Sequence, residues 1–115
     1  MPVDSIRKTN RQRNPGRSIA SQIAALAGGR VRVILKRQRP WASITFSGTR
    51  YCFSIEWFDT TATDEMRHLS KVLPDHEFVI PGYFVADIVV TKQTEFQMQV
   101  EALSIIDPAK ESPYW

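Results

Sequence analysis

The stretch WASITFSGTRYCFSIEWF, residues 41–58, decides the fold class. It divides at Gly48-Thr49, and glycine at the first central position of a two-residue loop suits a type II′ hairpin turn. With that turn Ser47 faces Arg50, and counting outward pairs Phe46 with Tyr51, Ile44 with Phe53 and Ala42 with Ile55. Those six residues share one face, while Ser43, Thr45, Cys52, Ser54 and Glu56 take the other. A half-buried antiparallel hairpin needs this period of two, because a slip of one residue would turn its apolar set to water.

Upstream, Val31, Val33 and Leu35 alternate with Arg32, Ile34 and Lys36, which predicts a strand over 31–37. Gln38-Arg39-Pro40 reads as a break, since proline brings no N–H to a ladder. A short helix precedes the strand. Ser18 is placed to cap it, Ile19, Ile23, Ala24, Leu26 and Ala27 recur on one face, and Gly28-Gly29 stops it.

Downstream, residues 59–63 suit a helix start. Met66, Leu69, Val72 and Leu73 follow at helical spacing, and Pro74 ends the helix. Asp64 and Glu65 in the first turn and Lys71 in the last complement its dipole. Short strands are expected over 76–80 and 83–91, joined at Pro81-Gly82. A last strand over 96–102 turns Phe96, Met98, Val100 and Ala102 inward and Gln97, Gln99 and Glu101 outward. Its apolar phase then slips to Leu103 and Ile105, which predicts a bulge near Ala102. The order is helix, three strands, helix, three strands. It predicts an α+β fold with a mainly antiparallel sheet of about six strands and its helices packed on one face.

The chain has 115 residues, 43% of them hydrophobic and 23% charged, enough for one domain with its own core. The reading is a disordered basic arm over 1–16, a single domain over 17–108 and a short aromatic tail over 109–115. The opening residues lack the apolar segment of a secretory signal, and no apolar run approaches the roughly 20 residues of a membrane span. A soluble, cytoplasmic protein with no membrane partner is expected. Cys52 is the one cysteine, so no internal disulfide forms and no thiolate zinc site is available.

Charge is unevenly placed. Residues 1–40 carry Arg7, Lys8, Arg11, Arg13, Arg17, Arg30, Arg32, Lys36, Arg37 and Arg39 against Asp4 alone, a balance of +9. Residues 41–115 carry five basic and eleven acidic residues, a balance of −6. Such asymmetry points to a polyanion as partner, through phosphate contacts and counterion release.

Sequence signatures of catalysis are missing. Gly28-Gly29 follows a helix, whereas a phosphate loop precedes one. His76-Glu77 lacks both the spacing and the downstream cysteines of a deaminase, and no Gly-x-Ser-x-Gly elbow occurs. Asp64 and His68, four apart with His76 or Asp75 beyond, read better as a solvated helix face than as metal ligands. No catalytic residue, metal or cofactor is assigned.

The expectation is a binding protein without catalysis of its own, engaging nucleic acid or an acidic protein. In it Arg7, Lys8, Arg11 and Arg13 supply diffuse attraction, Arg32, Lys36, Arg37 and Arg39 position phosphates, Trp41 stacks, and Arg50 stands at the far end of the surface. Arg32 and Lys36 are expected to project from one face. One alternative is a small-molecule or enzyme domain whose pocket, between sheet and helix, gathers His68, His76, Asp87 and Glu56, with His76 pairing across the 81–82 turn with Asp87. Another is an interaction module or homodimer.

Overall fold

Four strands form one antiparallel sheet in the computed structural model, which describes residues 14–58 and 63–108. Along the chain these are α1 (Pro15–Leu26), β1 (Val31–Ala42), β2 (Ser47–Trp57), α2 (Thr63–Val72), a 3-10 turn (Leu73–Asp75), β3 (Tyr83–Gln93) and β4 (Gln97–Ile106). The strand order is β1-β2-β4-β3, and each neighbouring pair is antiparallel. The α+β class holds, but the six expected strands are four.

β2 is the spine of the core. Tyr51, Phe53, Ile55 and Trp57 alternate along it and are all buried on the helix side. Against them pack Ile19 and Ile23 of α1, Met66 and Leu69 of α2, and Met98, Val100 and Ala102 of β4. Each large apolar side chain in this cluster contributes about 1.5–3 kcal/mol on leaving water.

Helix α1 begins earlier than Ser18. Asn14 is its N-cap, with Oδ1 accepting from the Gly16 N–H at 3.0 Å, and Pro15 fills the first turn, where a missing N–H is harmless. Ser18 lies inside the helix and accepts from Gln22 Nε2 at 3.0 Å. Gly28 and Gly29 end α1 with φ of 81° and 80°. Their amides donate to the Ala25 and Ala24 carbonyls, the paired closure of a glycine-terminated helix.

Three expectations about the strands are corrected. The segments read as separate strands over 31–37 and 41–47 are largely one, because β1 runs straight through Pro40. It lies at an edge of the sheet, where a residue without an N–H is tolerated. The hairpin turn falls at residues 43–46 instead of Gly48-Thr49. There Ser43 N–H donates to the Phe46 carbonyl at 2.8 Å, and Ser43 Oγ accepts from Phe46 N–H at 3.1 Å. Phe46, Ile44 and Ala42 therefore do not pair with Tyr51, Phe53 and Ile55, whose partners on β1 are Gln38, Leu35 and Val33.

The expected bulge near Ala102 is also absent. β4 pairs with β2 without interruption from Gln97 to Ile105, and the irregularities fall on β3, between Val85 and Asp87 and between Val90 and Lys92. Leu103 and Ile105 sit on the face away from the helices yet are buried, so that end of the sheet is apolar on both sides. Of the strand expected over 76–80, only Ile80 makes a bridge, to Tyr83. The arm to residue 13 and the tail from 109 lie outside the described residues.

Candidate nucleic-acid interface

Both helices contribute to the cluster on one side of the sheet, so the other side is organised by strand register alone. Residues level with Arg50, Cys52, Ser54 and Glu56 of β2 share that open face, because side chains alternate along each strand. Between Leu35 and Arg37 the β1 register shifts by one residue, with Lys36 the extra one. That bulge resets the parity of β1. Arg32 and Ile34 face the open side before it, and Arg37, Arg39 and Trp41 do so after it.

Successive rows then cross the face from β1 to β3. Trp41, Gly48, Ile105 and Phe84 form the first, and Arg39, Arg50, Leu103 and Asp87 the second. Arg37, Cys52, Glu101 and Val89 form the third, followed by Ile34, Ser54, Gln99 and Lys92. In these rows the arginines lie on β1 and β2, while Glu101 and Asp87 lie on β4 and β3 beside Lys92, and Glu56 of β2 is paired with Arg32 one row beyond. In the first row the Phe84 ring meets Phe46 edge-on, with centroids 6.2 Å apart. Trp41 there is half-buried.

Arg37, Arg39 and Arg50 line one shallow pocket of about 10 Å³ with Tyr51, Cys52 and Glu101. That space holds no more than a water-sized group. Among the described residues, none of these three guanidinium groups has an ion pair or side-chain hydrogen bond. Arg32 differs, since its Nη2 donates to Glu56 Oε1 at 2.9 Å. Glu56 also accepts from Gln97 Nε2 at 3.4 Å, and the same nitrogen donates to the buried Ser54 Oγ at 2.8 Å. Arg32 is thus locked into a polar network at the far end of the face, and Arg30 pairs with Glu65 of α2.

The structure brings together Arg37, Arg39, Arg50 and Trp41 and separates Arg32 from them. Arg32 faces the open side, while Lys36 is the extra residue of the β1 bulge and has no partner on β2 to set its face. Arg7, Lys8, Arg11 and Arg13 lie outside the described residues. Sequence reasoning missed Glu101, which shares the arginine pocket, and the placement of Asp87 in the Arg39 row. The signal available was the alternation Arg37-x-Arg39-x-Trp41, which puts all three on one face whatever precedes them.

The polar groups expected to gather in a pocket are dispersed. His76 Nε2 lies 3.3 Å from Gln22 Oε1 of α1, and its ring stands edge-on to Phe78. Asp87 is on the open face opposite Leu103, so the expected His76–Asp87 cross-strand pair does not form. Its physical basis is lacking, since residues 76–79 make no ladder with β3. Glu56 is held by Arg32. His68 lines a separate hollow of about 300 Å³ between the helices, with Leu26, Ala27, Gly28, Asp64 and Glu65. No group of three or more His, Cys, Asp or Glu side chains able to hold a metal ion occurs among the described residues. Nor is any helix among them long and apolar enough to cross a membrane. No family model matches the chain, and no curated protein is significantly similar to it.

Proposed function

We propose that this protein is a non-enzymatic binding module whose sheet face away from α1 and α2 holds nucleic acid. Arg37, Arg39 and Arg50 contact phosphates and Trp41 stacks on a base at the end of the arginine rows. The arm residues Arg7, Lys8, Arg11 and Arg13 add diffuse attraction, and Lys36 adds charge at the bulge. The observation that carries this reading is the convergence, on one pocket lined also by Glu101, of three arginines that have no ion pair among the described residues. Paired surface arginines are commonplace, whereas mutually repelling ones are stabilised by an anion from outside. Arg37 and Arg39 are two residues apart, about 7 Å along the strand, a span comparable with successive phosphates of a stretched chain. An aromatic beside such cations is the usual equipment of a sheet that binds unpaired bases.

Fluorescence anisotropy of labelled oligonucleotides at several salt concentrations tests the reading. Replacing Arg37, Arg39 and Arg50 together by Gln should lower the slope of log K against log salt by about 2, at roughly 0.7 per phosphate contact on a single strand. Binding that ignores salt, or that the triple variant retains in full, overturns the assignment. Binding of polyglutamate in place of oligonucleotides would transfer the same surface to an acidic protein partner.

A further inference from the structure

We infer that the acidic half of this face, Asp87 and Glu101, makes the platform selective for a single strand over a duplex. This rests on the nucleic-acid reading above and adds the substrate class. Glu101 stands on β4 in the Arg37 row, and Asp87 on β3 in the Arg39 row. Among the described residues neither carboxylate has an ion pair or a side-chain hydrogen bond. Both are therefore charges presented outward, in the same rows as the arginines and on the opposite half of the sheet. Lys92 lies one row further on, level with Gln99.

The spacing gives this arrangement its consequence. Neighbouring strands lie about 4.8 Å apart, so β4 is about 10 Å from β1 and β3 about 14 Å. A duplex laid on the face presents two phosphate backbones, separated by a groove about 6 Å or about 12 Å wide. Once Arg37 and Arg39 hold one backbone over β1, the second falls over the β4 side of the sheet, onto Glu101 and Asp87. Repulsion of like charges at that point acts against the wrong partner, while leaving the first backbone's contacts intact.

A single strand meets no such conflict. Its one backbone follows the arginines and its bases splay toward β4 and β3. The competing role for Glu101 is that of a plain counter-charge to the arginines, since it lines their pocket. In that role its removal would strengthen binding of both forms by the same factor.

The test compares a labelled single strand with the blunt duplex of the same sequence, using the full chain, Asp87→Asn, Glu101→Gln and the double variant. Both changes keep side-chain shape at exposed or half-exposed positions, and thermal melting verifies that the fold is retained. Wild type should favour the single strand by about tenfold or more, and the double variant should gain about 5- to 10-fold in duplex affinity with the single strand changed less than about twofold. Equal gains for both forms, or equal wild-type affinity for both, overturn the selectivity and leave the binding site standing. Absence of binding to either form overturns the site itself and the selectivity with it.

Discussion

Arg39 and Arg50 face each other directly across the β1–β2 ladder. Like charges so placed destabilise a sheet, and a cross-strand pair is worth about 0.2–1 kcal/mol. The fold therefore carries a small repulsive load at the centre of the candidate site. Arg39→Gln should stabilise the protein by a few tenths of a kcal/mol up to about 1 kcal/mol, and Arg39→Glu by more, since it would attract Arg50. Both changes should weaken oligonucleotide binding. Urea midpoints read the first effect and anisotropy the second. Added salt should also stabilise wild type more than Arg39→Gln, because screening relieves only a repulsion that exists. A loss of stability in Arg39→Gln would contradict the repulsive pair.

Gly48 makes a separate prediction. Its φ is not positive, so no turn requires glycine there. A Cβ at this position would overlap the Ser104 carbonyl oxygen and come within 2.9 Å of Ile105 Cα, both of them backbone on β4. Backbone cannot rotate aside as a side chain does. Gly48→Ala should therefore destabilise by about 3 kcal/mol, at the upper end of overpacking effects. The urea midpoint should drop with an unchanged m-value. Ser43→Ala, by removing the acceptor for the Phe46 amide, should cost about 0.5–1.5 kcal/mol. It would be silent if the turn lay at Gly48-Thr49.

Those two residues also show what the sequence disclosed and what it hid. The face shared by Tyr51, Phe53 and Ile55 was legible, because alternation in a central strand is enforced by burial on one side. The turn was not. Gly-Thr is the stronger local turn signal, yet close approach of a third strand requires the same glycine, and no local pattern separates the two demands. Pro40 hides the continuity of β1 for a related reason, since proline breaks a central strand and is tolerated in an edge strand. Strand order is a long-range property. Leu103 and Ile105 mimic a bulge in the sequence because the face away from the helices is apolar at that end of the sheet. For the site, the residue types and the shared face of Arg37, Arg39 and Trp41 were legible, but that this is also the face of Arg50 depends on the bulge at Lys36, which reverses parity midway along β1.

Gln22 fastens the segment after α2 to α1. Its Nε2 donates to the Val79 carbonyl at 2.8 Å, and its Oε1 accepts from the Val79 amide at 3.1 Å, with His76 Nε2 at 3.3 Å from the same oxygen. One side chain thus stands in for the ladder that residues 76–79 lack. Gln22→Ala should destabilise by about 1–3 kcal/mol, because it removes both Val79 hydrogen bonds together with the contacts to His76 and Ser18 in a partly wet site. The more specific readout is hydrogen exchange. The Val79 amide should lose protection selectively while those of Phe53 and Val100 follow only the global change. Uniform loss across all three would mean that Gln22 acts through the whole core instead of pinning one segment.

Tyr51 connects the first helix to stability at high pH. Burial of its ring beside Gly16 pushes the hydroxyl above the ordinary value of 10.0. Hydrogen bonds with the Thr49 side chain and the Gly16 backbone pull the other way, and Tyr83 adds a smaller upward push. A folded-state value above the unfolded one means that the unfolded chain gives up this proton first. The contribution is therefore fully present below pH 10 and is lost as pH rises from there through the raised folded value. The stability difference between wild type and Tyr51→Phe should be constant up to about pH 9 and then shrink steadily as pH passes 10. A gap that widens above pH 10 would mean that the phenolate is favoured in the folded state, and would overturn burial as the dominant influence on Tyr51.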